Sequence, residues 1–323
     1  METFNFGLRA CTLGFSLLMV QCSAHAQSYP SKQITIIVSF AAGGFVDTVS
    51  RIVGQRLSQQ LGQPVVIENK PGAAGNIAHR AVARATADGY TMLATSTALA
   101  INESLYTNRG YEGRDLSAVA IVATSPEVLV APANGYISLK DVVQKSQSTP
   151  VFFGTAGVGS VSYIVTEYFF RALAKGQATH VPFQGGAPML NAILGAHIEL
   201  AGAAMAGGFV SHIQSGSLRG LAVASEQRVA VVPDVPTYIE LGFKDFAAVS
   251  WAGFFLPEKT PGYIVSKLNQ LISETMKDPD VIEKITPGGF LPMYNSAKEA
   301  DALFRKDVEN WSRMIKVIDL RAE

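Results

Sequence analysis

An α/β fold built on a parallel sheet and shared between two lobes is what this sequence predicts, and three observations carry the prediction. Ile34-Thr35-Ile36-Ile37-Val38 is a β-branched run suited to a strand covered on both faces. It gives way, after Gly43-Gly44, to Val46, Val49, Ile52, Val53, Leu57 and Leu61 at helical spacing, with Gly62 where a left-handed C-terminal cap belongs. The same order of strand, glycine turn and helix returns at 151–173 and 181–195, and such alternation is the signature of a parallel sheet. With 323 residues, 48% hydrophobic and only 16% charged, the chain has apolar material for one large or two ordinary domains, and two lobes are expected.

The N-terminus reads as a secretory signal peptide, residues 1–26. Arg9 precedes the mostly apolar stretch Cys11 to Val20, and Ala24-His25-Ala26 is a small-x-small cleavage site. Both cysteines, Cys11 and Cys22, fall in that segment, so the mature chain has no thiol, disulfide or thiolate metal site. Removing Glu2 and Arg9 from 26 acidic and 26 basic residues leaves a neutral mature chain without the basic stripe that nucleic acid would demand. Export follows, and no later stretch has the length of a membrane-spanning helix.

Downstream of Pro64, Val65 to Glu68 reads as a strand, 69–76 as a glycine-rich turn, and Ile77, Val82 and Ala83 as the face of a helix. Asp88-Gly89 is a turn signal before a strand at Tyr90 to Thr95, with Ser96-Thr97 opening the next helix. Ala118 to Val122 and Val128 to Ala131 read as two strands separated by Ser125-Pro126. Ser138-x-x-Asp141 caps a helix, and Val151 to Gly154 is the next strand. Pro188 suits a first helical turn that Gly195 ends, and Arg219 to Ala224 and Trp251 to Leu256 are strands. Thr260-Pro261 is expected to start a helix with Val265, Leu268, Leu271, Ile272 and Met276 on its apolar face. Ser296-x-x-Glu299 is a capping box for the last one, whose stripe of Ala300, Phe304, Val308, Trp311 and Ile315 is expected to pack on the first lobe.

Glycine at a strand-to-helix junction lets a ligand approach unpaired backbone N–H groups at the positive end of the helix dipole, a natural seat for an anion. A single such turn is equally a tight connection with no ligand; repetition of the device in both halves points to a cleft. The turns 40–47, 95–97, 154–160 and 183–188 contain no Arg or Lys, so a carboxylate there would be held by backbone N–H groups and hydroxyls. Asp47 has two readings, a first-turn carboxylate worth about 0.3–1 kcal/mol to the helix dipole or an acceptor for a ligand ammonium or water. Phe45 either covers an apolar ligand body or is buried between helix and sheet. His79, His180, His197 and His212 show no paired metal-ligand spacing. No nucleophile elbow, Gly-Lys-Ser/Thr phosphate loop or complete dinucleotide fingerprint is present, so neither a metal, a cofactor nor an enzyme is expected.

The motifs Gly43-Gly44-x-x-Asp47, Leu61-Gly62-Gln63-Pro64-Val65-Val66-x-Glu68-Asn69-Lys70-Pro71-Gly72-Ala73-x-Gly75-Asn76 and Asp88-Gly89-Tyr90-Thr91 resemble those of the Bug-type, TctC-like extracytoplasmic solute receptors associated with tripartite tricarboxylate transporters. The likeness continues through 181–188, 232–237 and Trp251-x-Gly253, essentially the whole mature chain. The resemblance implies a two-lobed periplasmic-binding-protein fold of the type II, Venus-flytrap kind. Lobe 1 is expected at 27–126 and 249–323 and lobe 2 at 127–248, with crossings near Pro126 and Ser250. It also implies a small carboxylate ligand, a membrane transporter as partner, and no catalysis. Carried over residue by residue, the ligand-binding candidates are Ala42, Gly43, Gly44 and Asp47, then Ser96 and Thr97, then Thr155, Ala156, Gly157 and Ser160, with Gln184 and Gly185. Relatives often place an aspartate or other polar residue after Gly195-x-x-Ile198-Glu199, where this chain has Leu200-Ala201-Gly202-Ala203-Ala204-Met205. That departure argues against an amino-acid ligand and for a carboxylate with a bulkier or apolar body such as an aromatic one; a dicarboxylate or an aromatic carboxylate is the expected ligand. Presentation of the ligand to a membrane sensor kinase, or an exported enzyme, are the alternatives; a monomer is the expected state.

Overall fold

A computed structural model describes residues 29–320 apart from 184, 206, 207, 245, 287 and 288. The expected signal peptide and Gln184 therefore lie outside the described residues. The first strand β1 (Ile34–Val38) and helix α1 (Phe45–Leu61) are joined by the Gly43-Gly44 turn, and α1 ends at Gly62 with φ 63°, the left-handed cap the sequence calls for. Strand β2 (Val65–Asn69), helix α2 (Asn76–Ala83), strand β3 (Thr91–Ser96) and helix α3 (Ala98–Leu105) follow, with β2 and β3 parallel to β1 on either side.

The long strand β4 (Leu116–Pro132) corrects the sequence reading, which breaks it at Ser125-Pro126. Its partner β9 (Val249–Pro257) pairs antiparallel from Leu116 to Pro126, and from Glu127 onward β4 pairs instead with β7 (Leu200–Ala204) and β8 (Leu218–Val223). Pro126 thus falls where the strand exchanges neighbours, a point at which a missing N–H removes no interior ladder bond.

The second half adds helix α4 (Leu139–Ser146), strand β5 (Val151–Thr155), helix α5 (Val161–Tyr168), which runs into a π-helical turn at Phe169–Ala174, strand β6 (Ala178–Pro182), helix α6 (Gly186–Leu194), and helix α7 (Phe209–Gln214). Helices α8 (Gly262–Lys277) and α9 (Pro279–Ile285), the two-residue strand β10 (Leu291–Pro292) and helix α10 (Ala297–Val317) complete the chain. The sheet runs β2-β1-β3-β9-β4-β7-β5-β6, with β8 and β10 also on β4. It is parallel among β1, β2 and β3 and among β5, β6 and β7, but antiparallel wherever β4 and β9 take part, so the sheet is mixed rather than purely parallel.

Three apolar clusters cover it. One lies under α1 and α8 around Ile36, Val53, Leu268 and Phe254. A second lies under α6 and α7 around Val130, Ile193 and Phe209. The third runs along the opposite face, from Leu99 and Phe304 to Phe153 and Tyr238, and joins the two halves. Helix α10 begins with the expected capping box, Ser296 N–H to Glu299 Oε2 at 2.8 Å and Glu299 N–H to Ser296 Oγ at 3.2 Å. It buries Ala300, Phe304, Trp311 and Ile315, packing on α3 and β4 and also reaching α5. Two details of α8 differ from the sequence reading. Pro261 is the N-cap, while the Thr260 hydroxyl turns back to Pro257 O, and Ile264 takes the fully buried place expected of Val265.

Candidate ligand-binding site

Loops that follow the carboxyl ends of β1, β2, β3, β5 and β6 carry nearly all the residues singled out by sequence. This is the end of an α/β sheet where ligands gather. In the first loop Ala41, Ala42, Gly43 and Gly44 are exposed, Gly43 has φ 84°, and Gly44 is the N-cap of α1. A β-carbon on Gly43 would meet nothing within 4 Å, so the turn presents open backbone.

Asp47 organises that turn. Its side chain is only 3% exposed. Its Oδ2 accepts from Gly43 N–H (2.8 Å) and Arg51 Nε (2.9 Å), and its Oδ1 accepts from Asn69 Nδ2 (2.8 Å) and pairs with Arg51 Nη2 (2.9 Å). Asn69 Nδ2 also donates to Phe40 O, and its Oδ1 accepts from Arg51. Burial alone would push the carboxyl up. The Arg51 guanidinium, the Gly43 N–H and the Asn69 amide outweigh it and hold Asp47 below the usual carboxylate range. The Gly43 N–H is thereby directed at Asp47. Asn69, at the end of β2, belongs to this clamp although sequence reasoning names it only as part of a motif.

Phe45 stacks on Phe290 at 4.6 Å between centroids and packs against the cluster under α1. Ser96 is half-buried and its Oγ accepts from Ala98 N–H. Thr97 is wholly buried, its hydroxyl accepting from Trp251 N–H at 2.9 Å, so it ties the end of β3 to β9.

In the second half, Thr155 ends β5 with its hydroxyl 2.7 Å from His180 Nε2, and Gly157 N–H leans on the same oxygen at 3.4 Å. His180 stacks on Tyr163 at 4.2 Å, and burial pulls its imidazole down to about 4, leaving it neutral at physiological pH. Ser160 caps α5, accepting from Tyr163 N–H and donating to Gly157 O at 2.7 Å. Ala156 and Gly157 are half-buried; Gly157 has φ 124° and Gly185, the N-cap of α6, has φ 110°. A β-carbon on Gly157 would lie 3.3 Å from Phe183 O, which brings the turns after β5 and β6 together.

The two halves meet around these loops. A β-carbon on Gly159 would lie 3.1 Å from Leu105 Cδ2, 3.5 Å from Tyr106 Oη and 3.6 Å from Ala74 Cβ. On the other face Gly289 packs against Met205 and Val210. The turn receiving Gly159 holds two successive left-handed alanines, Ala73 (φ 48°) and Ala74 (φ 52°). This conformation costs an alanine about 1–2 kcal/mol. The small-residue segment after Ile198 is mostly interior. Ala201 and Ala203 are core, and a β-carbon on Gly202 would run into Thr166 Oγ1. Only Ala204 is partly exposed, packed at the edge of the cluster under α1, so the room inferred from this segment narrows to that residue. Depressions of about 410 Å³ at 107–115 and about 370 Å³ between Pro132 and Glu199 contain none of these loops.

Residues 49–320 match the model of the tripartite tricarboxylate transporter family receptor, TctC. The chain belongs to this family. TctC-family receptors are periplasmic solute-binding proteins. Among solved structures, the R. palustris protein Rpa4515 with adipate is 28% identical, with a TM-score of 0.84 over 91% of this chain and 99% of that one. The periplasmic binding protein BugD is 30% identical, with a TM-score of 0.81 over 91% and 100%. MatC from Rhodopseudomonas palustris with bound malate is 29% identical, with a TM-score of 0.80 over 89% and 100%. These likenesses establish the two-lobed periplasmic-binding-protein fold for this chain. Among the described residues no group of His, Cys, Asp and Glu could hold a metal ion, and no helix is long and apolar enough to cross a membrane.

Proposed function

We propose that this TctC-family receptor is exported by a cleaved signal peptide and captures a small dicarboxylate or aromatic carboxylate between its lobes. It then delivers the ligand, as a monomer, to a tripartite tricarboxylate-type membrane transporter. The observation that supports this best is the meeting of the two halves at the carboxyl ends of their strands, with Gly159 of the cation-free 154–160 turn set against Ala74 and Tyr106. Two similar structures carry adipate and malate, both dicarboxylates.

In this reading lobe 1 is 27–126 with 249–323 and lobe 2 is 127–248, the division passing through the change of partners at Pro126. Ala42 and Gly44 offer open backbone from lobe 1, Gly43 gives room for a close approach while its N–H stays on Asp47, and Ser96 offers a hydroxyl. Ala156, Gly157 and Gly185 offer backbone from the other wall, which Thr155 and Ser160 shape through their bonds to His180, Gly157 and Tyr163, and Gln184 is expected beside them from the sequence. Asp47 and Thr97, already spoken for by internal partners, shape the wall rather than touch the ligand, and Phe45 covers its apolar body. Closure follows because only the closed form completes the ligand's hydrogen bonds.

The experiment is a thermal-shift panel on protein from residue 27, unfolded and refolded to strip carried-over ligand, against aliphatic dicarboxylates, aromatic carboxylates, amino acids and neutral analogues. At about 100 times the dissociation constant a ligand stabilises by about 2.7 kcal/mol, several degrees of shift. A response confined to carboxylates supports the reading, and turnover of a responding compound would overturn it in favour of an enzyme.

A further inference from the structure

Behind the first lobe's turns runs a line of buried polar groups that no candidate contact requires. We propose that this line, from Ser39 to Asn102, fixes the strained Ala73–Ala74 turn in the position that receives the second lobe, and that His79 is a positioning residue for capture. Only that last step rests on the function proposed above.

The direction of every hydrogen in the line is set by its far end. Asn102 Nδ2 donates to Ala74 O and to Asn76 Oδ1, both at 2.9 Å. Tyr111 Oη also donates to Asn76 Oδ1, at 2.8 Å, so toward His79 it can only accept. His79 Nδ1, 2.9 Å from Tyr111 Oη, must therefore carry the proton. That leaves Nε2 bare to accept from the Thr95 hydroxyl at 2.7 Å, and Thr95 in turn accepts from Ser39 Oγ at 2.9 Å. Ser39, Thr95, His79 and Asn102 are 0% exposed, and Asn76 and Tyr111 are nearly as buried. Burial also pulls the imidazole down to about 3, so it stays neutral and the relay keeps one direction at physiological pH.

Both ends of the line open on turns of the candidate site. Ser39 immediately precedes the Phe40–Gly44 loop. At the other end the line closes on Ala74 O, in the turn where two alanines adopt a conformation they would not hold alone. Gly75 seals the arrangement: with φ 92°, a β-carbon there would sit 2.9 Å from the His79 ring and 3.3 Å from Ser39 Cβ. Ala74 is also where Gly159 arrives from the second half. The imidazole thus joins the loop after β1 to the turn after β2, so that both face the incoming lobe in fixed register.

The test uses Tyr111→Phe, which keeps the ring and breaks the line, and His79→Gln, which keeps a donor and an acceptor. In the ligand-free mature chain we expect Tyr111→Phe to speed amide hydrogen exchange at Gly75 and Asn76 at least tenfold, leaving β1 and α8 unchanged. Nitrogen-15 spectra of the wild type should show His79 protonated at Nδ1 alone from pH 5 to 8. With adipate and malate as probes, Tyr111→Phe should weaken whichever binds by about tenfold and His79→Gln by much less. Unchanged exchange at 75–76, a uniform rise across the chain, or an imidazole that titrates in that range would overturn the proposal. A wild type that binds neither probe would count against dicarboxylate capture, while the exchange and tautomer results would still decide the positioning claim.

Discussion

Each half of the sheet ends a strand with a threonine hydrogen-bonded to a neutral histidine, yet the two pairs differ in depth. In the first half Thr95 and His79 are wholly buried and belong to a line that reaches Ser39 in one direction and Ala74 in the other. In the second, Thr155 is just as buried but its partner His180 is only half-buried, and the turn is held by local bonds, Ser160 to Gly157 and Gly157 to Thr155. In the proposed site, one wall would be built before any ligand arrives, and the other would have fewer fixed partners and freedom to adjust on closing. Asp47 deepens the contrast, since its clamp on Gly43, Asn69 and Arg51 has no counterpart among the described bonds of the 155–160 turn.

Breaking the fixed wall should have the largest effect. Asp47→Ala strands the Gly43 and Asn69 donors and is expected to cost about 3 kcal/mol of stability, read by urea denaturation, with loss of ligand binding. Next is the crossing between the halves. Glu127 is buried there, accepting from Ser250 Oγ at 2.6 Å, and its Oε2 has no partner. Burial lifts it to about 7, against the partial opposition of the Ser250 bond. A raised carboxyl binds its proton more tightly when folded, so its contribution is complete below pH 4.5 and is lost as pH rises through about 7. Glu127→Gln should therefore match wild type at pH 4 and exceed it by about 3 kcal/mol at pH 8, measured by denaturation at the two pH values.

Smaller effects should mark the adjustable wall. Gly159→Ala, at φ 84° and 3.1 Å from Leu105, should cost about 1 kcal/mol and weaken binding by holding the turns apart. Thr155→Val should cost about 1 kcal/mol and reduce affinity more than stability, because the surrounding bonds remain. Equal losses from Asp47→Ala and Thr155→Val would erase the distinction between the walls.

The legible parts of this molecule are the ones with local causes. The αL cap at Gly62, the Ser296–Glu299 box and the Gly43-Gly44 junction are each fixed by a few neighbouring residues. Pro126 misled the reading of β4 because its meaning depends on β7, β8 and β9, far away in the chain. The buried line was out of reach for the same reason. Asn76 and His79 share a helix face at a spacing of three, but Thr95, Asn102 and Tyr111 come from other elements, and a lone interior histidine announces nothing. Asn69 stands inside one of the family motifs, yet its role becomes visible only when β2 lies beside β1.

Isothermal titration of the refolded mature chain with adipate, malate and their neutral diamides, paired with small-angle scattering, tests the central claim most directly. Capture between the lobes predicts saturable binding of at least one dicarboxylate, none of its diamide, and a smaller radius of gyration when bound. Equal binding of acid and diamide, or scattering curves identical with and without saturating acid, would contradict it.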